Sequence, residues 1–402
     1  MKIEKHRCVV TCSHGFEPFL QRELRRINIQ NVKTGTGSVQ FHDTLSSAYK
    51  AMLWSRIGSR VLLEIGRFEG TTQDELYDGM LEIRWEDHMD VDGTLWIDFT
   101  GFSKEIRHTQ FAARKAKDAI ADRFRDRFGR RPSVDKDADL RIHIHLHHGL
   151  FVVSIDLCGT PLHQRTPDKH ITDAPLKETL AATLLYASGW DKMLKRGFGL
   201  LDPMCGSGTI ALEAMGLACN RAPGLLRENW NLFQWKQFDA AGWNEIVEMA
   251  RSQELTEAPC DVFAFDIDAA AIACVKHNAK KQGIPVPTAR VQPLRSLTPP
   301  SETGFIVSNP PYGERIGSHA HVATPYLDLG QTLSRFQAND FDNAWRCFLL
   351  CPPNELYQQT GYNRTEERIT LYNGPLKCRF LELDLNKPIE TTSPSVEGST
   401  EE

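Results

Sequence analysis

The spacing of hydrophobic and polar positions predicts a small α+β segment at the start of the chain. Residues 7–12 form an apolar run typical of a strand, and the apolar positions from 16 to 27 recur at the spacing of an amphipathic helix. A glycine-containing turn at 35–38 precedes a second short strand. We assign residues 1–43 to this segment.

The region 44–160 is predicted to form a second α+β domain. Its predicted elements are a helix running into a strand over 45–63, a helix over 74–83, a strand over 96–99, and strands over 140–146 and 151–157. His148-Gly149 separates the last two strands as a hairpin turn does. A loop of turn residues and mixed charge over 159–173 marks the next boundary.

Apolar strands alternate with helical patterns from 161 to 386, which predicts an α/β domain built on a parallel sheet. The predicted strands are 198–201, 261–265, 304–307, 345–350, 368–372 and 376–383. The last two form an antiparallel pair through Asn373-Gly374. An insertion at 217–259 contains three tryptophans, and we expect it to shape the substrate entrance. Residues 387–402 are rich in Ser, Thr, Pro and Glu, and we expect them to be disordered.

Composition indicates a soluble globular protein, since 41% of the 402 residues are hydrophobic and 25% are charged. No apolar run approaches the roughly 20 residues that span a bilayer. The first seven residues are too charged for a signal peptide, which predicts a cytoplasmic protein. The ten cysteines include no Cys-x-x-Cys pair, so we interpret most of them as buried free thiols in a reducing compartment.

Three histidines alternate with apolar residues on the strand at 140–146. His143, His145 and His147 therefore share one strand face and could hold a metal ion. The spacing lacks a carboxylate or cysteine partner, so we favour a polar strand face and predict no metal site.

The charge of the chain is unevenly distributed. Between residues 104 and 131 there are ten Lys or Arg and four acids, a local charge of +6. Because the net charge of the chain is −5, the other residues carry a charge of −11. A basic patch on an acidic protein favours a phosphate backbone as partner. The alternative is a solvated helix face, because Asp118, Asp122 and Asp126 recur every four residues and would pair with the arginines along the helix.

A glycine-containing loop follows the predicted strand 198–201 and leads into a helix. Its sequence is Asp202-Pro203-Met204-Cys205-Gly206-Ser207-Gly208-Thr209. Such a turn lets a ligand approach the backbone closely. A phosphate loop is excluded because no Gly-Lys-Ser/Thr is present, and the dinucleotide fingerprint lacks its third glycine. An acid at the strand end suits a positively charged ligand, such as S-adenosylmethionine.

A second carboxylate ends the next strand. Asp266 is placed to accept hydrogen bonds from both hydroxyls of a ribose, as the acid does in dinucleotide folds. The alternative role is a helix N-cap, for which Asp268 is the better candidate.

The polar loop after strand 304–307 is predicted to bind a planar amine. An exocyclic amine of a nucleobase is a poor nucleophile because its lone pair is delocalised into the ring. Asn309 and Pro310 offer oxygen acceptors for its hydrogens, Pro311 stiffens the loop, and Tyr312 can stack on a base taken out of its helix. A Pro-Pro turn that only caps the strand is the alternative.

Several motifs resemble those of known methyltransferases. Asp202–Thr209 and Asn309-Pro-Pro-Tyr-Gly-Glu-Arg look like motifs I and IV of S-adenosylmethionine-dependent amino-methyltransferases. The segments that resemble THUMP-containing RNA methyltransferases are Leu53–Arg56, Lys117–Ile120 and Arg131–Asp135. The segments that match the RlmL-like group, which methylates a guanine N2 of large-subunit ribosomal RNA, are Pro175–Glu178, Ala222–Leu225 and Asp266–Asp268.

The resemblance implies a Rossmann-like, seven-stranded class I methyltransferase domain over 161–386. It also implies a ferredoxin-like segment over 1–43 and a THUMP-like RNA-binding domain over 44–160. The implied reaction is direct in-line transfer of the methyl group of S-adenosylmethionine to guanine N2, with Asn309, Pro310, Pro311 and Tyr312 as catalytic residues. The implied cofactor-binding residues are Asp202, Met204, Cys205, Gly206, Ser207, Gly208, Thr209, Asp266, Ile267 and Lys177. The implied RNA-binding residues are Lys104, Arg107, Arg114 and Lys117.

The sequence departs from this family in three places. Val291-Gln292-Pro293-Leu294 stands where the family usually has an acid that faces adenine. Gln164–Pro167 replaces a basic, glycine-containing turn. Some relatives also carry a second methyltransferase fused downstream of the point where this sequence ends. Two other functions fit the same residues: a DNA adenine-N6 or cytosine-N4 amino-methyltransferase, and a non-catalytic RNA-binding assembly factor of the ribosome.

Overall fold

The computed structural model describes residues 4–166, 168–171, 176–312, 319–337, 345–353 and 356–386. They divide into two compact units. The first unit is Met1–Pro167 with Arg221–Glu254, and the second is Asp168–Asn220 with Leu255–Glu402. Residues 313–315 of the Asn309 motif, Pro175 and the tail 387–402 lie outside the described residues, so the expected disorder of the tail stays a prediction.

Fifteen strands form two sheets in the described part of the chain. They are β1 His6–Thr11, β2 Lys33–Gly35, β3 Ser38–Asp43, β4 Arg60–Glu69, β5 Thr94–Gly101, β6 Ser133–Val134, β7 Leu140–His147, β8 Leu150–Asp156, β9 Gly199–Asp202, β10 Val262–Asp266, β11 Thr288–Val291, β12 Gly304–Ser308, β13 Trp345–Cys351, β14 Thr365–Asn373 and β15 Leu376–Leu383.

Ten α-helices are present in the same residues. They are α1 Glu17–Arg26, α2 Leu45–Trp54, α3 Gln73–Glu82, α4 Thr109–Phe128, α5 Glu178–Ser188, α6 Trp190–Met193, α7 Thr209–Ala218, α8 Ala240–Ser252, α9 Ala269–Gln282 and α10 His319–Leu333. Within the described ranges, none combines the length and the hydropathy that a membrane span needs.

The first unit contains an eight-stranded sheet with the order β2-β3-β1-β4-β8-β7-β5-β6. Its strands are antiparallel except that β5 runs parallel to β6 and β7. Because β1 pairs with β4, the regions 1–43 and 44–160 contribute to one continuous sheet. Residues alternate in burial along β7, as the two-residue period of a strand with one covered face requires.

The insertion is placed differently from our expectation. We assigned all of 161–386 to one domain, whereas Arg221–Glu254 belongs to the first unit. The physical reason is packing against α2: the Tyr49 ring meets Trp243 edge-on at 5.5 Å between centroids, and the Tyr49 hydroxyl accepts a hydrogen bond from the amide of Asp239 at 3.0 Å. A Cβ on Gly224 would lie 2.7 Å from the Cα of Leu53, so this segment lies directly on the helix end.

The second unit contains a seven-stranded sheet with the order β11-β10-β9-β12-β13-β15-β14. The first five strands are parallel, and β15 is antiparallel to both β13 and β14. Strands β9 and β12 are buried at every position, as expected for central parallel strands covered on both faces. This architecture confirms the predicted seven-stranded, Rossmann-like class, including the antiparallel pair at the end.

Candidate active site

Three polar side chains end neighbouring strands of the second sheet. Asp202 ends β9, Asp266 ends β10 and Ser308 ends β12. Strand β9 lies between the other two, and all three are parallel, so these ends share one edge of the sheet. The strand order reverses beside β9, and the crevice at such a reversal is where open α/β sheets bind ligands.

The Asp202 carboxyl is buried, with 2% of the residue exposed. Its Oδ1 accepts a hydrogen bond of 2.7 Å from the Ser308 hydroxyl and a longer one of 3.4 Å from the Met204 amide. Burial is the main cause that raises the pKa of Asp202 to about 7; the charge of Asp266 acts in the same direction, and the two hydrogen bonds oppose it. A carboxylate desolvated in this way is strongly stabilised by a nearby cation.

The glycine-containing loop is fixed by backbone contacts. The amide of Cys205 donates to the carbonyl of Phe265 at 2.9 Å, and the amide of Gly208 donates to the carbonyl of Cys205 at 2.8 Å. Gly208 has a φ of +83°, and a Cβ there would lie 2.7 Å from a methyl carbon of Val275 in α9. A side chain at this position would be excluded both by backbone conformation and by space.

The other predicted loop residues lie around the same turn. Met204 is half-buried against the core of the second unit, while Ser207 and Thr209 are buried. The carbonyl of Ser207 accepts a hydrogen bond of 3.3 Å from the side-chain amide of Asn278. Burial raises the pKa of the Cys205 thiol well above its usual range, so this group stays protonated.

The Asp266 carboxylate is held by two backbone amides. Its Oδ2 accepts from Gly206 at 2.8 Å and its Oδ1 from Asp268 at 3.0 Å. Asp268 is the N-cap of α9, with its side chain accepting from the amide of Ala270 at 2.8 Å. Each Asp266 carboxylate oxygen can therefore accept one further hydrogen bond. Ile267, the next residue, is 75% exposed, which leaves an apolar surface beside this carboxylate.

Asn309 directly follows Ser308 and leaves the edge of the sheet. Its side-chain oxygen Oδ1 is buried and has no hydrogen-bond partner in the described part of the chain. Buried acceptors in native proteins are nearly always satisfied. An orphaned amide oxygen at a ligand-binding edge therefore points to a donor that a ligand supplies.

The aromatic ring of the same loop is fixed by the hairpin of β14 and β15. The hydroxyl of Tyr312 accepts a hydrogen bond of 2.7 Å from the side-chain amide of Asn373. Burial raises the pKa of Tyr312 above its usual range, so the phenol stays neutral. Pro310 is buried and Pro311 is half-buried between Asn309 and this ring.

The sequence reasoning missed a buried ion pair beside the loop. The Lys169 ammonium donates to the Glu178 carboxylate at 2.7 Å and to the Thr209 hydroxyl at 3.3 Å. Lys177, which we predicted to bind the cofactor, is an exposed residue at the N-cap of α5, and its role stays a prediction. Glu178 is the only charged residue of α5, and this signal in the sequence could have identified it.

A neutral amide occupies the position where the resemblance implies an acid. The amide of Gln292 donates to the carbonyl of Asp266 at 2.8 Å, which places Gln292 beside the second carboxylate. Its side chain donates to the hydroxyl of Ser296 at 2.8 Å. The departure seen in the sequence thus lies at the edge of the sheet that carries Asp266.

Most of the basic stretch is paired with carboxylates. The paired cations are Lys115, Lys117, Arg123, Arg125, Arg127 and Arg130. Of the four cations that we predicted to bind RNA, Lys117 is paired with Asp118, while Lys104, Arg107 and Arg114 are exposed and form no ion pair with any described residue. Pairing of the other cations does not decide between the two interpretations of this stretch, and phosphate binding stays a prediction.

The three histidines of β7 lie side by side on one face of the first sheet. Ring centroids are 6.5 Å apart for His143 and His145 and 5.8 Å apart for His145 and His147. Burial lowers the pKa of His143 to about 4. Across the ranges that the structure describes, no cluster of His, Cys, Asp or Glu side chains has an arrangement that could hold a metal ion.

Three protein families match successive parts of the chain. An RlmL ferredoxin-like domain matches residues 7–62, a THUMP domain matches 70–156, and an RMKL-like methyltransferase domain matches 165–382. The first match extends past residue 43 and includes α2 and the start of β4. The third match covers more than half of the 402 residues.

Curated relatives match almost the whole chain. The Ribosomal RNA large subunit methyltransferase K/L of Psychromonas ingrahamii is 38% identical over 376 residues, which are 92% of this chain and 49% of the relative. The protein of the same name from Syntrophotalea carbinolica is 36% identical over 93% of this chain and 53% of the relative. The chain thus spans about half the length of the curated relatives that it matches.

Solved structures share the fold over both units. One is described as a predicted N6-adenine-specific DNA methylase from Listeria monocytogenes, with a TM-score of 0.81, 25% identity, and coverage of 94% of this chain and 96% of that chain. Another is SMU.472, a putative methyltransferase complexed with SAH, with a TM-score of 0.79, 25% identity, and coverage of 95% and 98%.

Replacing Gly208 with alanine tests the packing of the glycine-containing loop. Gly208→Ala places a side chain at a positive φ, where alanine is strained, and brings its Cβ into a clash with Val275. We expect it to lower the free energy of unfolding by about 3 kcal/mol. The matched control is Gly361→Ala in the same unit, where φ is +78° but no atom of a described residue lies within 4 Å of a Cβ. This control should lower the free energy of unfolding by about 1 kcal/mol. Scanning calorimetry measures both, and equal losses would show that the contact with Val275 is unimportant.

Proposed function

Because the chain belongs to the RMKL-like methyltransferase family, we propose that it transfers a methyl group from S-adenosylmethionine to the exocyclic N2 amine of a guanine in large-subunit (23S) ribosomal RNA. The observation that carries this proposal is the buried Oδ1 of Asn309, which accepts no hydrogen bond from any residue that the structure describes. Asn309 directly follows Ser308, whose hydroxyl is bonded to Asp202. An acceptor for an amine and a carboxylate for a cation thus lie at the same strand ends. The cytoplasmic location expected from the sequence stays a prediction.

The residues at the edge of the second sheet fit the proposed cofactor. Asp202 provides a buried negative charge for a positively charged ligand, and the free acceptor capacity of Asp266 suits ribose hydroxyls. The exposed side chain of Ile267 offers an apolar contact for the adenine ring. S-adenosylmethionine supplies a methyl group that its sulfonium already activates. The SAH complex of the related putative methyltransferase supports this choice of ligand.

The Asn309 loop fits a base amine. Oδ1 of Asn309 and the carbonyl of Pro310 would each accept one amine hydrogen, which localises the nitrogen lone pair and favours a tetrahedral geometry. The same acceptors stabilise the positive charge that grows on nitrogen during transfer. The ring of Tyr312, held by Asn373, provides a face on which an extruded base stacks.

RNA is the substrate class that the first unit favours. Its residues 70–156 match the THUMP domain, and the curated relatives are named for ribosomal RNA. Lys104, Arg107 and Arg114 are exposed cations that form no ion pair with a described residue, so they are available for phosphates. We also propose that these three, and not Lys117, make the electrostatic contacts.

Transfer of labelled methyl from S-adenosylmethionine to total RNA of cells that lack this gene tests the proposal. We expect label in the large ribosomal RNA, which nucleoside analysis identifies as N2-methylguanosine. Label on adenine, or only on added DNA, would keep the fold and assign the chain to the DNA amino-methyltransferases. Cofactor binding without label on either naked RNA or ribosome precursors would favour the assembly factor.

Asn309→Ala separates the base site from the cofactor site. Because the residue is assigned to the amine, we expect methyl transfer to fall by about 10² to 10³, the range seen when one preorganised polar group is removed. Affinity for S-adenosylhomocysteine, measured by calorimetry, should stay within about twofold. The matched control is Asn363→Ala, an exposed asparagine of the same unit. Equal loss of binding and transfer would contradict the assignment.

The pKa of Asp202 makes cofactor affinity dependent on pH. A cationic ligand binds the ionised carboxylate, and this form is lost as pH falls through about 7. We therefore expect affinity for S-adenosylmethionine to be about tenfold weaker at pH 6 than at pH 8, with proton release on binding near pH 7. Calorimetry in buffers of different ionisation enthalpy measures both effects.

Asp202→Asn should weaken binding and remove this pH dependence. The control Asp261→Asn changes an exposed carboxyl at the opposite end of β10 and should behave as the unchanged protein does. Affinity that is independent of pH in the unchanged protein would refute the role of Asp202 as the partner of a cation.

A further inference from the structure

Two large apolar side chains of the first unit are exposed near three cations that form no ion pair with a described residue. Phe102 is 82% exposed and Phe111 is 57% exposed. They lie on either side of Lys104 and Arg107, and Arg114 follows Phe111 by one helical turn. We refer to these five residues as the aromatic–basic patch.

The loop that carries Phe102 is fixed by hydrogen bonds. The hydroxyl of Ser103 accepts from the amide of Ile106 at 2.9 Å and donates to the carbonyl of Thr71 at 2.6 Å. Ile106 is fully buried and anchors the loop. Gly101, the residue before Phe102, has a φ of +89°, and a Cβ at this position would overlap the carbonyl oxygen of Leu146. The exposure of Phe102 is therefore a property of an ordered turn.

The patch lies at one end of the first sheet. Gly101 ends β5 and pairs with Leu146 in β7, so the loop is next to the hairpin turn His148-Gly149. The backbone amide of Gly70 donates to the carbonyl of Gly149 at 2.9 Å, which joins the neighbouring loop to the same end. This end of the unit therefore presents one surface built from three loops.

The charges around the patch are mainly positive. Among the nearby acids, Asp74 is paired with Lys115. The Glu75 carboxylate accepts hydrogen bonds from the backbone amides of Thr71 and Thr72. Glu105 and Glu69, the last residue of β4, are exposed carboxylates at this end of the unit. The three cations and these two carboxylates carry a net charge of +1, which favours an anionic partner.

We propose that the aromatic–basic patch binds unpaired nucleotides of single-stranded RNA. Exposed phenylalanine rings are suited to stack on bases, whose faces are free only where the strand is unpaired, while the cations contact the flanking phosphates. Phosphate contacts alone would not distinguish single strands from duplex; the two rings provide that preference. The inference rests on RNA as the substrate of the proposed function and identifies the form of RNA that the first unit recognises.

The expected signature is a preference for single strands that depends on the rings. Full-length protein would be titrated against fluorescently labelled U12 and against an RNA hairpin with the same number of phosphates, with fluorescence anisotropy as the readout. The two strands of the hairpin are joined by a hexaethylene glycol linker and its end is blunt, so it contains no unpaired nucleotide. We expect tighter binding of U12. Phe102→Ala with Phe111→Ala should weaken binding of U12 by about tenfold or more and change binding of the hairpin by less than about twofold.

The other end of α4 provides the matched control. Phe128 is 48% exposed and also lies among arginines, but it is separated from Phe111 by 17 residues, or about 26 Å along the helix. Phe128→Ala should leave binding of U12 unchanged. The triple variant Lys104→Ala, Arg107→Ala and Arg114→Ala should bind both RNAs more weakly. For U12, the slope of log affinity against log salt concentration should become shallower by roughly two.

Several outcomes would overturn the inference. These are an unchanged affinity of the double phenylalanine variant for U12, an equal loss for U12 and the hairpin, or binding through the rings to phosphatidylglycerol vesicles and not to RNA. The methyl-transfer assay distinguishes failure of the inference about the patch from failure of the proposed function. Ring-dependent binding of U12 without guanine methylation would refute the function alone, and guanine methylation with ring-independent binding would refute the patch alone.

Discussion

The hydrogen bond from Ser308 to Asp202 joins the two strands beside which the order of the second sheet reverses. Ser308 is fully buried and Asp202 nearly so, so the carboxylate would lose its strongest donor without this hydroxyl. Because Asn309 is the next residue, the same contact fixes where the Asn309 loop leaves the sheet. The proposed acceptor for the base and the proposed partner for the cofactor's charge thus depend on one buried contact.

Local patterns in the sequence were sufficient for most of the fold. The strand predicted at 376–383 has these bounds in the structure, and Asp268 is the cap of α9 as expected. Both depend on interactions between residues that are close in the sequence. The strand follows from the alternation of buried and exposed residues, and the cap from the unpaired backbone amides at the start of a helix. The packing of the insertion could not be predicted in this way. Its central part, Arg221–Glu254, packs with the first unit through pairs such as Tyr49 and Trp243, which are far apart in the chain and which no local pattern shows.

The candidate site was predictable where backbone geometry determines the residue type. Gly208 is required by its φ and by the nearness of Val275, and the carboxylates follow from their places at strand ends. Ion pairing was not predictable in the same way. Lys177 and Glu178 are adjacent in sequence, yet only Glu178 is buried, and its partner Lys169 comes from a separate segment. The same limit applies to α4, because the sequence gives the number of cations, and tertiary contacts decide which of them remain available.

The protonation states of the site argue for the order of events in the proposed transfer. An amide oxygen such as Oδ1 of Asn309 accepts a hydrogen bond but does not take up a proton near neutral pH. Burial raises the pKa values of Tyr312 and Cys205 above their usual ranges, so neither acts as a base. Asp202 titrates near neutral pH, but a bound cation would keep it ionised and engaged. These groups therefore favour attack by the neutral amine, with the proton passing to solvent only after methylation has made the nitrogen acidic.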